Sequence, residues 1–348
     1  MKILYIGKLS NNSNCSLRMN ALKNLGYNVI SLDPFFYFLN STQNKILQKC
    51  HYRTGYIFLQ RKIFKWFDKK IKSINFNPDI VWIDGGELIN FNILELLRKY
   101  KCPIILLNND DVTGNRDGLR FFVLKKLLKY FDNCFVYRNI NIAEYKNLGA
   151  KNVSLLNFSY DEITHKKLDN TQDIPSSFIS DISFIGTYMK GENRDEIIYY
   201  LIKNGLNVSI WGGRWHKSQY WKHLKQNYKG QTAVGENYVN AIQGAKISIG
   251  CISKLNRDKT TRRSVEIPYA GGLLCAERTE EHLSMFVEGK EAVFWSSKEE
   301  CLDICNKLLL DETLRNKIKE AGRKRVIKDK YGNFELVSNV LRKMNLVK

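Results

Sequence analysis

Two hydrophobic periods run along the chain. Residues 2–6 form a short apolar run ending at Gly7, and residues 15–25 place apolar side chains at helical spacing before Gly26. A second apolar run follows at 29–32. Strand, loop, helix, strand is the repeating unit of a parallel sheet. The unit recurs with strands at 79–83, 103–107, 133–137 and 153–156, separated by helical patterns at 88–100, 119–131 and 140–148. Residues 161–180 are polar, hold Pro175 and show no periodicity. A second series then starts, with strands at 182–185, 207–211, 247–251, 273–276 and 293–295. Two amphipathic helices at 298–310 and 312–328 and a last helix at 334–344 complete it. The expectation is an α/β protein of two Rossmann-like, doubly wound parallel-sheet domains. The predicted divisions are 1–165, a linker at 166–180, a second domain at 181–330, and a helix at 331–348 returning to the first. The aromatic and basic stretch 215–228 reads as a surface loop.

Residues 35–76 break this rhythm. Aromatic and aliphatic residues alternate there with nine Lys or Arg, against Asp68 as the one acid. Residues 58–74 predict a basic amphipathic helix. Such a helix either lies in a membrane interface over anionic headgroups or packs its apolar side on the sheet.

Composition narrows the class. The chain has 348 residues, 44% of them hydrophobic, with 18 Phe, 18 Tyr and 6 Trp, enough for two cores. No apolar run approaches the ~20 residues of a membrane span. A strand pattern beginning at residue 2 leaves no room for a leader, so the expected location is cytoplasmic, peripheral to the membrane if the basic helix docks. The eight cysteines show no CxxC pair; Cys301 and Cys305 lie one helical turn apart without a nearby His, which fits reduced thiols on apolar faces. The formal charge of +20 calls for an anionic partner. Nucleic acid is disfavoured, because no RRM, KH or zinc pattern is present.

Candidate chemistry gathers at strand ends. Gly7 ends the first strand without a full GxGxxG pattern, at the edge where open α/β sheets bind ligands. Asp84 and the pair Asp110 and Asp111 end later strands; paired carboxylates there suit a general base, a metal ligand or simple capping. In the second half, Gly186-Thr187, Gly212-Gly213-Arg214 and Lys254 follow strands, and Arg194 opens a helix. The densest stretch is 262–296. Arg262 and Arg263 begin a helix holding Glu266, and Gly271-Gly272 stop it. A helix start with two arginines suits a phosphate, and a carboxylate one turn on suits sugar hydroxyls. An ordinary helix with a solvated basic end is the other reading.

Glu266, followed five residues later by Gly271, resembles the donor-binding motif of group 1 glycosyltransferases, closest to the spore maturation-type branch. The stretch Ser183-Phe-Ile-Gly186-Thr with Lys190 and Arg194, and Ile210-Trp-Gly-Gly213, are similar to that family's glycine turns. The family's first acid, eight residues before Glu266, is replaced by Asp258, so its role does not carry over. The resemblance implies a GT-B fold with two domains facing a cleft. It also implies transfer of a hexosyl group from a nucleotide-diphosphate sugar, as co-substrate, to a glycan, lipid-linked or protein acceptor, in cell-surface polysaccharide synthesis. No other cofactor and no metal are expected. By the same resemblance Glu266 holds the ribose and amides near Gly271 and Gly272 hold phosphate. Arg214, Lys254, Arg262 and Arg263, gathered at the carboxyl ends of successive strands, suit stabilisation of the leaving diphosphate, with Arg194 assisting. Tyr238 is placed near the base. A non-catalytic sugar-nucleotide binder and a GT-B nucleotide-sugar epimerase remain as alternatives.

Overall fold

The computed structural model describes residues 1–40, 44–231 and 234–347. Among them, twelve strands form two six-stranded parallel sheets, one in each of two compact units. The first unit comprises Met1–Asn157 and Asn333–Lys348. Its strands are β1 (Lys2–Gly7), β2 (Asn28–Leu32), β3 (Ile80–Asp84), β4 (Ile104–Leu107), β5 (Asn133–Val136) and β6 (Val153–Leu155), in the order β2-β1-β3-β4-β5-β6. β3 and β4 are buried along their whole length, which is why they read as unbroken apolar runs. The order reverses between β1 and β3, where Gly7 pairs with Asp84. Loops leaving these two strands diverge and open a crevice at their carboxyl ends. The last helix, Asn333–Lys343, belongs to this unit and packs on the helix Asn14–Asn24, burying Leu336, Val337, Val340 and Leu341.

The basic segment is a helical insert between β2 and β3. Helix Lys45–Arg53 is capped by the Asn44 side chain, which accepts from the Ile46 and Leu47 amides at 2.9 and 3.2 Å. A 3-10 turn, Ile57–Leu59, leads into helix Gln60–Ser73. Ile63 and Phe67 of that helix are fully buried in the sheet's core, and Trp66 packs against Tyr37, Phe38 and Phe67. The apolar side of the amphipathic helix is thus covered by protein.

The second unit is Phe158–Gly332. Its strands are β7 (Ser180–Ile185), β8 (Val208–Trp211), β9 (Tyr228–Gly230), β10 (Ala245–Gly250), β11 (Leu274–Glu277) and β12 (Val293–Trp295), in the order β12-β11-β10-β7-β8-β9. Here the order reverses between β7 and β10. The stretch expected as a linker, 166–180, is part of this unit: Ile174 and Phe178 are buried, and Phe178 stacks on Trp211 at 4.9 Å. Residues 158–165 also belong here, since Tyr160 stacks on Tyr269 at 3.7 Å and its amide donates to the Tyr331 carbonyl at 3.0 Å. An irregular backbone carries no period, so these anchors left no pattern to read. Residues 215–228 are likewise more than a surface loop. Trp215 and Leu224 are fully buried, and the stretch feeds the edge strand β9. No helix among the described residues is long and apolar enough to cross a membrane.

Burial of the amphipathic helix gives a direct expectation. Phe67→Ala removes a fully buried ring from the first core, and should cost about 3–5 kcal/mol in chemical unfolding of this unit. A loss near zero would mean the helix is not docked.

Candidate active site at the carboxyl edge of the second sheet

The second unit's reversal point lies between the ends of β7 and β10. Backbone carbonyls leaving a sheet must find donors. Three consecutive ones do so here through side chains from three different elements. The Ile185 carbonyl accepts from Arg263 Nε, the Gly186 carbonyl from Trp215 Nε1 at 2.8 Å, and the Thr187 carbonyl from Arg194 Nη1 at 3.0 Å. The neighbouring turn after β8 presses directly on this segment. A Cβ at Gly212 would sit 2.2 Å from the Gly186 carbonyl oxygen, and Gly212 has φ +134°, so only glycine fits. The Tyr188 amide donates to the Gly213 carbonyl at 2.9 Å. Arg214 follows, exposed, with φ +69°.

Glu192 joins this loop to the one after β10. Its buried carboxylate accepts from Arg194 Nη2 at 3.1 Å, Ser253 Oγ at 2.8 Å and the amides of Lys254 and Leu255 at 3.0 and 3.2 Å. Arg194 is itself buried, and its Nε–H has no partner. Lys254 is half exposed and pairs with Glu277 at 3.2 Å, the last residue of β11. Burial pushes the Glu277 carboxyl up, and Lys254 opposes it; Glu277 Oε1 is buried without a partner.

Glu266 sits in the first turn of the helix Arg263–Tyr269. Arg262 holds its Oε1 at 2.5 Å and the Tyr238 hydroxyl donates to its Oε2 at 2.7 Å. His165 Nε2 lies 3.9 Å from Oε1. His165 Nδ1 accepts from the Asp161 amide at 2.9 Å, so the ring proton is on Nε2, facing Glu266. Burial pushes the Glu266 carboxyl up, but Arg262, His165, Arg263 and the Tyr238 hydroxyl together hold it below its ordinary range. Burial lowers His165 in turn, keeping it neutral near pH 7. The same helix start is tied to β11: Ser264 Oγ meets His282 Nε2 at 2.7 Å, and His282 Nδ1 meets the Glu277 carbonyl at 2.7 Å.

Several expected roles are corrected by this geometry. The Gly271 and Gly272 amides donate to the Pro268 and Ile267 carbonyls at 2.9 Å each, closing the helix's carboxyl end. They are not phosphate donors, and the dipole there has the wrong sign for an anion. A Cβ at Gly272 would lie 2.5 Å from Ile242, so this glycine serves packing. Tyr238, expected near the base, is buried and spends its hydroxyl on Glu266. Asp258, eight residues before Glu266, is buried.

Gly7, Asp110 and Asp111 lie in the first unit and join a different crevice. Gly7 abuts the Asp84 carbonyl, which a Cβ would approach to 3.1 Å. Asp84 is closed by Arg18, at 2.7 and 2.8 Å, and by the Tyr5 hydroxyl. Asp111 is buried and accepts from Asn141 at 2.8 Å and the Gly114 amide at 3.0 Å, as a turn-capping residue. Asp110 pairs with Arg116 at 3.2 Å and Arg120 at 2.8 Å. All three carboxylates expected as bases are thus engaged by internal donors. A pocket of about 450 Å³ opens beside them, with Phe35, Tyr52, Tyr56, Asp84, Glu87 and Arg120 among its lining. Arg120 pairs with Glu87 and lies over the Tyr52 ring at 4.8 Å.

Sequence reasoning missed Glu192, Glu277, His165 and Trp215. Glu277 was the most legible, as a charge directly ending an apolar strand. Glu192 sits in a polar turn and His165 in the aperiodic stretch, where no spacing marks them. Among the described residues, one group of three thiols gathers: Cys275 joins Cys301 and Cys305, with sulfur atoms within 4.8 Å, all buried in the second core.

Residues 194–332 match the family model described as glycosyl transferase-like. No curated protein matches the chain. Among solved structures, sucrose-phosphate synthase from Thermosynechococcus elongatus is similar over 99% of both chains, with a TM-score of 0.69 at 10% identity. Anabaena HepE in complex with UDP-glucose is similar over 100% of both chains, with a TM-score of 0.65 at 11% identity. A putative UDP-N-acetylglucosamine 2-epimerase from Listeria monocytogenes is similar over 98% of this chain and 94% of its own, with a TM-score of 0.56 at 10% identity. The chain has a GT-B fold. The matched stretch carries Arg194, Arg263, Glu266 and Glu277, but not the Gly186 and Thr187 carbonyls that two of its side chains hold.

The charge on Glu266 sets a pH expectation. Its folded pKa is depressed, so its stabilisation is present above the ordinary value of 4.5 and is lost as pH falls through the lower folded value. Tyr238→Phe removes one donor to the buried carboxylate. Thermal melts should show a deficit of about 1.5–3 kcal/mol at pH 7, shrinking towards pH 3. A deficit unchanged with pH would contradict the ionised pair.

Proposed function

We propose that the protein is a glycosyltransferase that takes its sugar from a nucleotide-diphosphate donor bound at the carboxyl edge of the second sheet. The observation that carries this reading is the convergence of Arg263 and Arg194 on the Ile185 and Thr187 carbonyls, either side of Gly186 where β7 ends, with Lys254 fixed beside them through Glu192. Cations held by internal bonds need no reorganisation as charge builds on a leaving diphosphate. Arg214, exposed on the adjoining turn, is a further phosphate ligand in this reading. Glu266 retains lone pairs beyond those taken by Arg262 and Tyr238, and holds the donor's ribose hydroxyls. The fold neighbour solved with UDP-glucose and the glycosyl transferase-like match support the donor class. The branch assignment, spore maturation-type, rests on the motif around Glu266. Transfer of a hexosyl group to a glycan, lipid-linked or protein acceptor, within cell-surface polysaccharide synthesis, completes the proposal. The first unit's pocket, with aromatics, carboxylates and Arg120 among its lining, is the acceptor's place in it.

A second reading is nucleotide-sugar epimerisation, favoured by the fold likeness to the putative 2-epimerase. Products separate the two: a transferase releases nucleoside diphosphate only with an acceptor, whereas an epimerase returns an altered sugar nucleotide.

Thermal-shift measurements with UDP, GDP, TDP and CMP sugars test donor binding, since a ligand of the folded state raises the melting temperature by mass action. One nucleotide class should stabilise and the others should not. Glu266→Gln is expected to weaken that nucleotide by about ten- to a hundred-fold, and Arg263→Ala to weaken the diphosphate more than the nucleoside. A folded Glu266→Gln binding like the parent would remove Glu266 from the site. Turnover is expected to persist in EDTA, because fixed cations serve the diphosphate. Complete loss restored by manganese would contradict that part.

A further inference from the structure

The basic insert of the first unit leaves a different surface open from the one its helical period suggests. The apolar side of helix Gln60–Ser73 is spent on the core, but the corner before it is not. Gly55 and Tyr56 have φ of +63° and +57°, so the chain turns sharply there. A Cβ at Gly55 would lie 2.6 Å from the Leu119 carbonyl oxygen, so this corner is pressed against the segment 119–120. The Tyr56 ring anchors it from inside. The corner projects Ile57 and Phe58 outward, and Phe58 is 73% exposed. Leu119, on the segment it touches, is 59% exposed, and Phe122 follows one helical turn on, also exposed. On the adjoining helix Lys45–Arg53, Ile46 is 75% exposed with Leu47 beside it.

These elements are held together by side-chain contacts. The Tyr52 hydroxyl of helix Lys45–Arg53 donates to Asp117 at 3.1 Å, and the Tyr56 amide of the corner donates to the His51 carbonyl of that helix at 2.8 Å. Six large apolar side chains on three touching elements are more than the scattered exposure of ordinary surfaces. The charge around them is predominantly positive, and the acids Asp68 and Asp117 are both paired internally. Residues 35–76 carry nine Lys or Arg against Asp68, and residues 121–130 add Lys125, Lys126 and Lys129 with no acid, whereas Arg120 is spent on Glu87, Asp110 and Asp117. Asp68 is itself paired with Lys72 at 2.7 Å. Lys126 lies over the Phe122 ring at 4.1 Å, as a cation flanking an apolar tip.

We propose that this face docks on an anionic phospholipid bilayer, with Ile57 and Phe58 entering the headgroup boundary and the surrounding lysines and arginines resting on phosphate. Apolar tips with a basic collar suit that surface, since insertion and headgroup attraction add. The same helix that exposes Ile46 and Leu47 turns Gln48, Lys49 and Tyr52 into the 450 Å³ pocket. The pocket therefore lies beside the docked face, where a lipid-linked molecule would present its polar end. Vesicle binding reads no catalysis, so this proposal stands or falls apart from the transferase reading.

Co-sedimentation of the full chain with phosphatidylcholine vesicles, with and without phosphatidylglycerol, tests it at low and high salt. Binding is expected only with phosphatidylglycerol, and salt should weaken it. Ile57→Asp with Phe58→Asp should reduce binding by at least about tenfold, and Arg61→Glu with Lys62→Glu likewise. Leu310→Asp, at a residue 91% exposed in the second unit, should bind as the parent does and controls for general loss of exposed apolar surface. Circular dichroism melts on all variants separate folding from docking. Absence of binding at low salt, or equal binding by the Ile57→Asp, Phe58→Asp variant, would overturn the proposal. So would light scattering showing a dimer that this variant splits, since the face would then join two copies of the chain.

Discussion

The second unit depends on how β7 ends. Its last carbonyl, on Ile185, and the next two, on Gly186 and Thr187, leave the sheet and are each held by a side-chain N–H. The donors come from the helix after β10, the turn after β8 and the helix after β7 itself. One stretch of three residues thus fixes the position of three elements. It also decides where two arginines sit, because both guanidiniums are anchored through it. Gly212 must be glycine for the same reason, since the β8 turn closes on the Gly186 carbonyl at contact distance.

Charge in this unit is organised by burial. Glu192 has four donors, two of them backbone amides from the loop after β10, so removing it would leave Arg194 and that loop uncompensated. Glu266 stays ionised inside the protein because Arg262, His165, Arg263 and Tyr238 outweigh its burial. Such a network is set before any ligand arrives. The first unit shows the same design at its own reversal point, where Arg18 and Tyr5 close Asp84, and Arg116 and Arg120 hold Asp110. Paired carboxylates at a strand end turned out to be ion-pair partners and turn caps, not free bases.

Much of the fold was legible because both sheets are parallel and doubly covered, so their strands are plain apolar runs separated by helical periods. The reversal points followed from strand order, which periodicity does not report. Residues 158–180 escaped because Tyr160, Ile174 and Phe178 bury single side chains from irregular backbone. Trp215 escaped because its neighbours are basic and polar while its own ring is enclosed. The motif around Glu266 was visible as a pattern, yet its glycines do a different job from the one the resemblance implies. An amide's hydrogen-bond partner is set by backbone geometry, and Gly271 and Gly272 spend theirs on the helix they terminate. The helix Gln60–Ser73 shows the same limit: its period marked an apolar side correctly, and only the packing shows that this side is covered while the Ile57–Phe58 corner is open.

The central claim is that nucleotide binds where the β7 and β10 loops meet in the second unit. Hydrogen–deuterium exchange with and without nucleoside diphosphates tests it most directly, because it reports location without assuming a reaction. The account predicts slowed exchange on nucleotide addition across 186–194 and 252–266, with the first unit's strand-end loops at 84–87 and 108–120 unchanged. Slowed exchange confined to those first-unit loops, or none with any nucleoside diphosphate at saturating concentration, would contradict it.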